Sequence, residues 1–75
     1  GAKQRGVLMT EVAAAEAMSE RYDEALYLAS NALTVATTYG SERVLHRVKK
    51  FRRAYAGPSS SALRSFDERL HATLI

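Results

Sequence analysis

Apolar residues between Tyr22 and Tyr39 recur at the spacing of an α-helix and are too numerous for a single contact face. At about 100° per residue they cover roughly half of the helix circumference, whereas a surface helix carries a narrower apolar stripe. A helix of this kind is stable only if neighbours pack on at least two sides of it. The apolar set is Tyr22, Ala25, Leu26, Leu28, Ala29, Ala32, Leu33, Val35, Ala36 and Tyr39.

A shorter apolar pattern precedes this segment. It predicts a first helix from about Val7 to Met18, with Leu8, Val12 and Ala15 on its apolar side. The chain contains no run of alternating apolar and polar residues, so the sequence predicts no strand. Since none of the 75 residues is cysteine, disulfides and thiolate metal sites are excluded, and apolar packing must stabilise the fold.

Breaker and capping residues divide the remainder of the chain into two more helices. Gly40 favours the end of the second helix, and Ser41 offers a side-chain oxygen that can cap the third. The third helix is predicted from about Glu42 to Tyr55, before the pair Gly57-Pro58. The fourth is predicted from about Ser60 to Leu74. Its apolar face is expected to consist of Leu63, Phe66, Leu70 and Leu74. The first three of these are expected to hold the fourth helix on the third, through Val48 and Phe51.

Small residues predict how closely the helices pack. Ala25, Ala29, Ala32 and Ala36 lie on one edge of the second helix, where the absence of bulk lets a facing helix approach closely. The alternative is that alanine is there as the best helix former. Because short connections favour antiparallel neighbours, the expected fold is all-α, with about four helices arranged as antiparallel hairpins.

Residues 20–36, ERYDEALYLASNALTVA, resemble the middle of a tetratricopeptide repeat. In that resemblance Tyr22 is the aromatic residue after the turn, Ala25 the small residue that follows, and Ala32-Leu33 the closing pair. Ala13 takes the small position of the preceding helix. The resemblance covers about residues 8–37. The early aromatic residue, the turn glycine and the closing proline of the repeat are absent, and Glu20 stands near the glycine position.

The segments SERVLHRVKKFRRAY and SSALRSFDERL resemble the C-terminal ends of actinobacterial regulators that join a helix-turn-helix domain to tetratricopeptide-like repeats. The resemblance implies a right-handed tetratricopeptide-like stack, with a hairpin at residues 7–39 and a capping hairpin at residues 41–75. It also implies a cytoplasmic bacterial protein-interaction or oligomerisation module concerned with transcription regulation. We expect the chain to be an excised piece of such a regulator, with Gly1-Ala2 as a cloning remnant.

The third helix concentrates positive charge, since residues 43–53 hold six basic residues and no acidic one. Val44, Val48, Phe51 and Tyr55 form a narrow stripe that is expected to face the core, with the cations on the opposite arc. That arc is then an ordinary solvated face, a contact for an acidic protein segment, or a nucleic-acid-binding surface. The candidate contact residues are Arg43, Arg47, Lys49, Lys50 and Arg53, beside His46.

Nucleic acid is the less favoured partner on chemical grounds. Helices that read bases place suitable side chains at their N-terminus, whereas here Glu42 would repel phosphate. Phe51 and Tyr55 belong to the core stripe, so they are not expected to stack on bases. A basic accessory domain that binds nucleic acid through residues 43–53 is therefore the alternative to a protein-interaction module.

The outer arc of the second helix lacks charge over more than two turns, which is uncommon for a solvated face. We hypothesise a contact surface for a second copy of the chain, giving a homodimer, or for the next hairpin of the parent protein. The alternative is a polar face that happens to be uncharged. Thr37 lies in the same arc as the candidate partner-binding residues, which are Tyr27, Ser30, Asn31, Thr34 and Thr38.

No motif for catalysis, a metal or a cofactor occurs in the chain. His46 and His71 lie in different predicted helices, and no serine sits in a G-x-S-x-G motif. Asp67 and Glu68 are adjacent, so their carboxylates point in different directions. The longest apolar run is far shorter than the roughly 20 residues of a membrane span. The sequence predicts that the protein is not an enzyme, binds no cofactor and does not contact a membrane.

Overall fold

The computed structural model describes residues 1–75 and contains four α-helices without any strand. Helix α1 spans Ala2–Met18, α2 spans Tyr22–Thr38, α3 spans Glu42–Ala54 and α4 spans Ser61–Leu74. The predicted all-α class is confirmed, and α2, α3 and α4 begin and end within one residue of their predicted bounds. None of these helices has both the length and the apolarity that crossing a membrane requires.

Helix α1 begins before its predicted start at Val7, and Gly6 explains the difference. Gly6 lies inside the helix and is buried. A Cβ atom at this position would lie 3.0 Å from the side chains of Val35 and Val44, on α2 and α3. The glycine therefore marks a close approach of three helices, although in the sequence it resembles a helix breaker.

The predicted apolar side of α1 is wrong. Leu8 is 57% exposed and Val12 is 43% exposed, and Ala15 is also exposed. The buried residues of α1 are instead Gly6, Val7, Thr10 and Ala13. The small side chains face inward because α2 and α3 both pack closely there, and Thr10 satisfies its hydroxyl by donating to the carbonyl of Val7 at 2.6 Å. The bulkier apolar residues are left on the outside.

Helix α2 is the centre of the fold, since it packs against α1, α3 and α4. Its wide apolar circumference, which predicts at least two neighbours, is thus covered from three directions. The four alanines of its small edge are all buried, as close packing requires: Ala25, Ala29, Ala32 and Ala36. Tyr39, at the end of the apolar set, is exposed.

Helix α3 turns its apolar stripe inward as predicted, because Val44, Val48, Phe51 and Tyr55 are all buried. Its outer arc carries the basic residues. This division of the helix into an apolar and a cationic side fixes which cations can meet a partner.

Helix α4 buries Leu63, Phe66 and Leu70, while Leu74 is exposed beyond the end of the core. The ring of Phe66 meets that of Phe51 edge-on, with centroids 6.1 Å apart, as predicted. The prediction that α4 is held on α3 is only partly right, because the backbone of α4 comes close to that of α2 and not to that of α3. Helix α4 therefore reaches α3 only through long side chains.

Two turns of the same kind end α1 and α2. After α2, Gly40 has φ of 59°, and the N–H of Ser41 donates to the carbonyl of Ala36 at 2.9 Å. After α1, Glu20 has φ of 61°, and the N–H of Arg21 donates to the carbonyl of Glu16 at 2.9 Å. This bonding pattern closes a helix with a left-handed residue, which is usually glycine.

Serine side chains cap the two later helices. Ser41 accepts a hydrogen bond from the N–H of Val44 at 3.2 Å at the start of α3, as predicted. Ser60 does the same for the N–H of Leu63 at 3.1 Å at the start of α4. Each cap satisfies one of the backbone donors that a helix leaves free at its N-terminus.

Candidate functional site

The predicted basic arc lies on the surface. Its exposed members are Arg43, His46, Lys50 and Arg53, whereas Arg47 and Lys49 are half-buried. Half-burial of a long cation beside an apolar stripe is expected, because the aliphatic stem covers apolar surface while the charge stays in water.

Only one cation of α3 is neutralised within the chain. Arg52 donates to the carboxylate of Asp67 from Nε at 2.7 Å and from Nη2 at 3.2 Å. This hydrogen bonding is the main reason that the pKa of Arg52 is raised above its ordinary value. The other ion pair of the chain joins Arg21 to Glu16. The five candidate cations of the basic arc therefore have no carboxylate within 4.0 Å.

A groove runs between α1 and α3 and consists of two adjoining cavities. The first has a volume of about 230 Å³ and is lined by apolar and aromatic residues alone. Ala14, Phe51 and Ala54 line both cavities, so the two lie side by side. The residues that line the apolar cavity are Ala14, Ala17, Met18, Tyr22, Phe51, Ala54, Tyr55 and Ala56.

The second cavity, of about 150 Å³, brings charge to the groove. Arg47 and Lys50 line it from α3, and Thr10 and Glu11 line it from α1. Two cations thus face one carboxylate at this end. The groove passes from an apolar end to an end with a net positive charge, and we call the whole of it the α1–α3 groove.

Small residues on both helices create the apolar end, and two tyrosines form its wall. The rings of Tyr22 and Tyr55 meet edge-on with centroids 5.7 Å apart. A Cβ atom at Gly57 would lie 2.5 Å from atoms of both rings, so only glycine fits beside them. The pKa of the Tyr55 phenol is raised by burial and, to a lesser extent, by Tyr22 and Asp23. The wall is therefore closely packed, and the raised pKa keeps the phenol of Tyr55 protonated at neutral pH.

The predicted uncharged surface of α2 is partly used within the chain. Arg69 of α4 donates to the hydroxyl of Thr34 at 2.9 Å and to the carbonyl of Ser30 at 3.4 Å. Thr34 and Thr37 also donate to backbone carbonyls of their own helix. Arg69 thus occupies the surface at two of the five candidate positions, through the side chain of Thr34 and the backbone of Ser30. A contact surface at the other three, Tyr27, Asn31 and Thr38, stays a prediction.

Tyr27 borders a second, wider groove on the other side of the α1–α2 pair. Its side chain is 68% exposed and makes no hydrogen bond within the chain. The groove, of about 470 Å³, has Val12 and Leu28 as further apolar residues and carries three carboxylates, those of Glu16, Asp23 and Glu24. Glu16 is paired with Arg21 at 2.7 Å. Asp23 and Glu24 have no cationic partner.

No arrangement of side chains in the structure points to a reaction or a metal. His46 and His71 are exposed on different helices. No three side chains among histidine, cysteine, aspartate and glutamate lie where they could hold a metal ion together.

Most of the α1–α3 groove is not predicted by the sequence. Arg47 and Lys50 are predicted contacts, whereas Phe51 and Tyr55 are predicted only as core residues and Ala14, Ala17 and Met18 have no predicted role. The available signal was the run of alanines in α1, which is too uniform to show which face meets α3.

Comparison of the chain with family models, with curated proteins and with solved structures found no significant match.

Proposed function

We propose that the chain is a protein-interaction module that binds an acidic segment with an apolar side chain in the α1–α3 groove. The observation that carries this proposal is that an apolar cavity adjoins a cavity lined by Arg47 and Lys50. An apolar side chain of the partner would fill the cavity while its carboxylates meet the two cations.

The magnitudes favour weak, reversible binding. Burying one large apolar side chain contributes about 1.5–3 kcal/mol, and exposed ion pairs contribute up to about 1 kcal/mol each. The cations add mainly to specificity and to the association rate. Together these contributions reach at most about 5 kcal/mol, so a dissociation constant near 1 mM, which corresponds to about −4 kcal/mol, is expected.

At the level of the fold, we propose a tetratricopeptide-like stack with a hairpin at residues 7–39 and a cap at residues 41–75, in which the last helix packs on α2 and does not form a close hairpin with α3. The support is that α1 packs against both α2 and α3, and that Ala13, Ala25 and Ala32, the small positions of the resemblance, are buried. In this proposal the module belongs to the C-terminal part of a bacterial transcriptional regulator, as the resemblance of residues 41–70 implies.

Fluorescence anisotropy with a labelled synthetic peptide tests the groove. The probe carries two glutamates and one phenylalanine, and the control probe carries lysines in place of the glutamates. Ala14→Leu and Ala54→Leu fill the cavity with side chains that a helix accepts well, so each is expected to weaken binding at least tenfold. Ala15→Leu is the matched control, because Ala15 is an exposed residue of α1 outside the groove.

A pair of charge reversals separates the groove from the rest of the basic arc. Arg47→Glu with Lys50→Glu is expected to abolish peptide binding, whereas Arg43→Glu with Lys49→Glu changes the net charge equally and is expected to leave it within about threefold. Equal losses in both double variants would overturn the groove proposal.

Duplex DNA in place of the peptide tests the alternative. Micromolar DNA binding that collapses with added salt and is lost in both double variants would establish a nucleic-acid-binding surface instead.

A further inference from the structure

We infer that the acidic segment that binds in the α1–α3 groove is residues 23–27 of a second copy of this chain, at the start of its helix α2. This inference rests on the proposed function and names its partner. It requires that one face of the molecule presents an aromatic anchor beside carboxylates, and that the anchor and the carboxylates match the groove in size and charge.

The start of α2 presents such a face. Asp23 and Tyr27 are four residues apart and Glu24 and Tyr27 three apart, so the three side chains are neighbours on one side of the helix. All three are exposed, and neither carboxylate has a cationic partner in its own chain. An aromatic side chain this exposed, with Val12 and Leu28 beside it, forms an apolar patch that a partner can cover.

The dimensions of the groove fit a tyrosine ring. An engineered apolar cavity of about 150 Å³ in another protein holds benzene, and the apolar cavity here has about 230 Å³. It is also open on one side, so the phenol oxygen can remain in water while the ring is covered. Tyrosine is enriched at protein interfaces because it combines an apolar body with a polar end.

The charges of the two surfaces are complementary. Asp23 and Glu24 lie beside Tyr27 on one copy, and Arg47 and Lys50 line the cavity that adjoins the apolar one on the other copy. Neither pair is neutralised within its own chain. Insertion of Tyr27 therefore brings two carboxylates toward two cations, whereas a basic partner would be repelled from the groove.

The two surfaces have no residue in common, so the contact is between unlike faces. Each copy has one donor surface and one groove. Contacts of this type either close into a ring or continue into longer assemblies. They also allow complementation, because a copy with a damaged donor surface keeps its groove and a copy with a damaged groove keeps its donor surface.

Sedimentation velocity over a range of protein concentrations tests the inference. The wild-type chain is expected to increase in mass with concentration. Tyr27→Ala alone, and Arg47→Glu with Lys50→Glu, are each expected to stay monomeric, whereas Arg43→Glu with Lys49→Glu is expected to associate like the wild type. An equimolar mixture of the Tyr27→Ala chain and the groove double variant is expected to form a dimer and nothing larger.

The outcomes distinguish this inference from the proposed function. If the wild-type chain stays monomeric at millimolar concentration while the acidic peptide still binds the groove, the partner is not a second copy and the groove proposal stands. If the chain associates but Tyr27→Ala associates equally, with circular dichroism showing a folded variant, Tyr27 is not the anchor and the inference is wrong. Failure of the mixture to form a dimer also overturns it.

Discussion

Arg52 of α3 donates two hydrogen bonds to Asp67 of α4, while the adjacent residues Phe51 and Phe66 pack ring against ring. This two-part contact is what joins helices whose backbones do not approach each other closely. Its polar half also neutralises Arg52, the one cation of α3 that has a carboxylate partner in the chain. The cations toward α1, Arg47 and Lys50, remain free for a partner.

Asp67→Asn is expected to lower the free energy of unfolding by only about 0.2–1 kcal/mol. The reason is that the side chains of Arg52 and Asp67 are 34% and 42% exposed, so solvent weakens the ion pair. Urea unfolding measures the change, with Glu68→Gln as a control that removes a neighbouring exposed carboxylate of α4. A loss above about 2 kcal/mol for Asp67→Asn alone would show that α4 depends on the ion pair far more than the geometry implies.

Phe66→Ala is expected to cost about 3–5 kcal/mol, because the side chain is 1% exposed and its removal leaves a cavity against Phe51. The total free energy of unfolding for 75 residues is on the order of 4–11 kcal/mol. The variant is therefore expected to lose a large part of its stability, seen as a lower midpoint of thermal unfolding by circular dichroism. Leu74→Ala, at a 51% exposed position of the same helix, is expected to change stability by less than about 0.5 kcal/mol. Equal effects would contradict the packing of α4.

Glu20→Gly is expected to raise the free energy of unfolding by about 1 kcal/mol. Glu20 holds a left-handed conformation with φ of 61°, which costs a residue with a Cβ atom roughly 1–2 kcal/mol. Gly40→Ala provides the converse, since Gly40 has φ of 59° in the equivalent turn and the substitution is expected to destabilise by a similar amount. Thermal denaturation of both variants checks the pair. Shifts of the same sign would contradict the assignment of the two turns.

Tyr55 makes stability depend on pH in the alkaline range. Burial, with smaller effects of Tyr22 and Asp23, raises the pKa of its phenol above the ordinary value of 10.0. Above that pH the unfolded chain releases the phenolic proton before the folded chain does, so the contribution of Tyr55 to stability is complete below pH 10 and is lost as pH rises through the folded pKa. Tyr55→Phe is expected to show a shallower loss of stability above pH 10 in urea unfolding. Identical slopes for the two proteins would contradict the burial of the phenol.

The sequence predicts features that depend on local pattern. The residues between the apolar positions of α3, from Val44 to Tyr55, are mostly charged, so only the apolar face of this helix can turn inward. Ser41 and Gly40 act through backbone geometry next to them. Features that depend on the relative placement of helices are predicted less well. In α1, the alanines point to several sides of the helix, so the spacing of the bulkier Leu8 and Val12 decided the predicted apolar side. Close packing of α2 and α3 around Gly6 leaves no room for such side chains in the core. The α1–α3 groove exists only because α1 turns Ala14 and Met18 toward α3.

Chemical-shift mapping during a titration of isotope-labelled protein with the acidic phenylalanine peptide tests most directly where the chain binds. The account predicts that the largest shifts of backbone amides occur at Ala14, Met18, Phe51 and Ala54 and extend to Arg47 and Lys50. The largest shifts would instead lie along Arg43, Lys49 and Arg53, or on the outer arc of α2 at Asn31 and Thr38, if the α1–α3 groove were not the binding site.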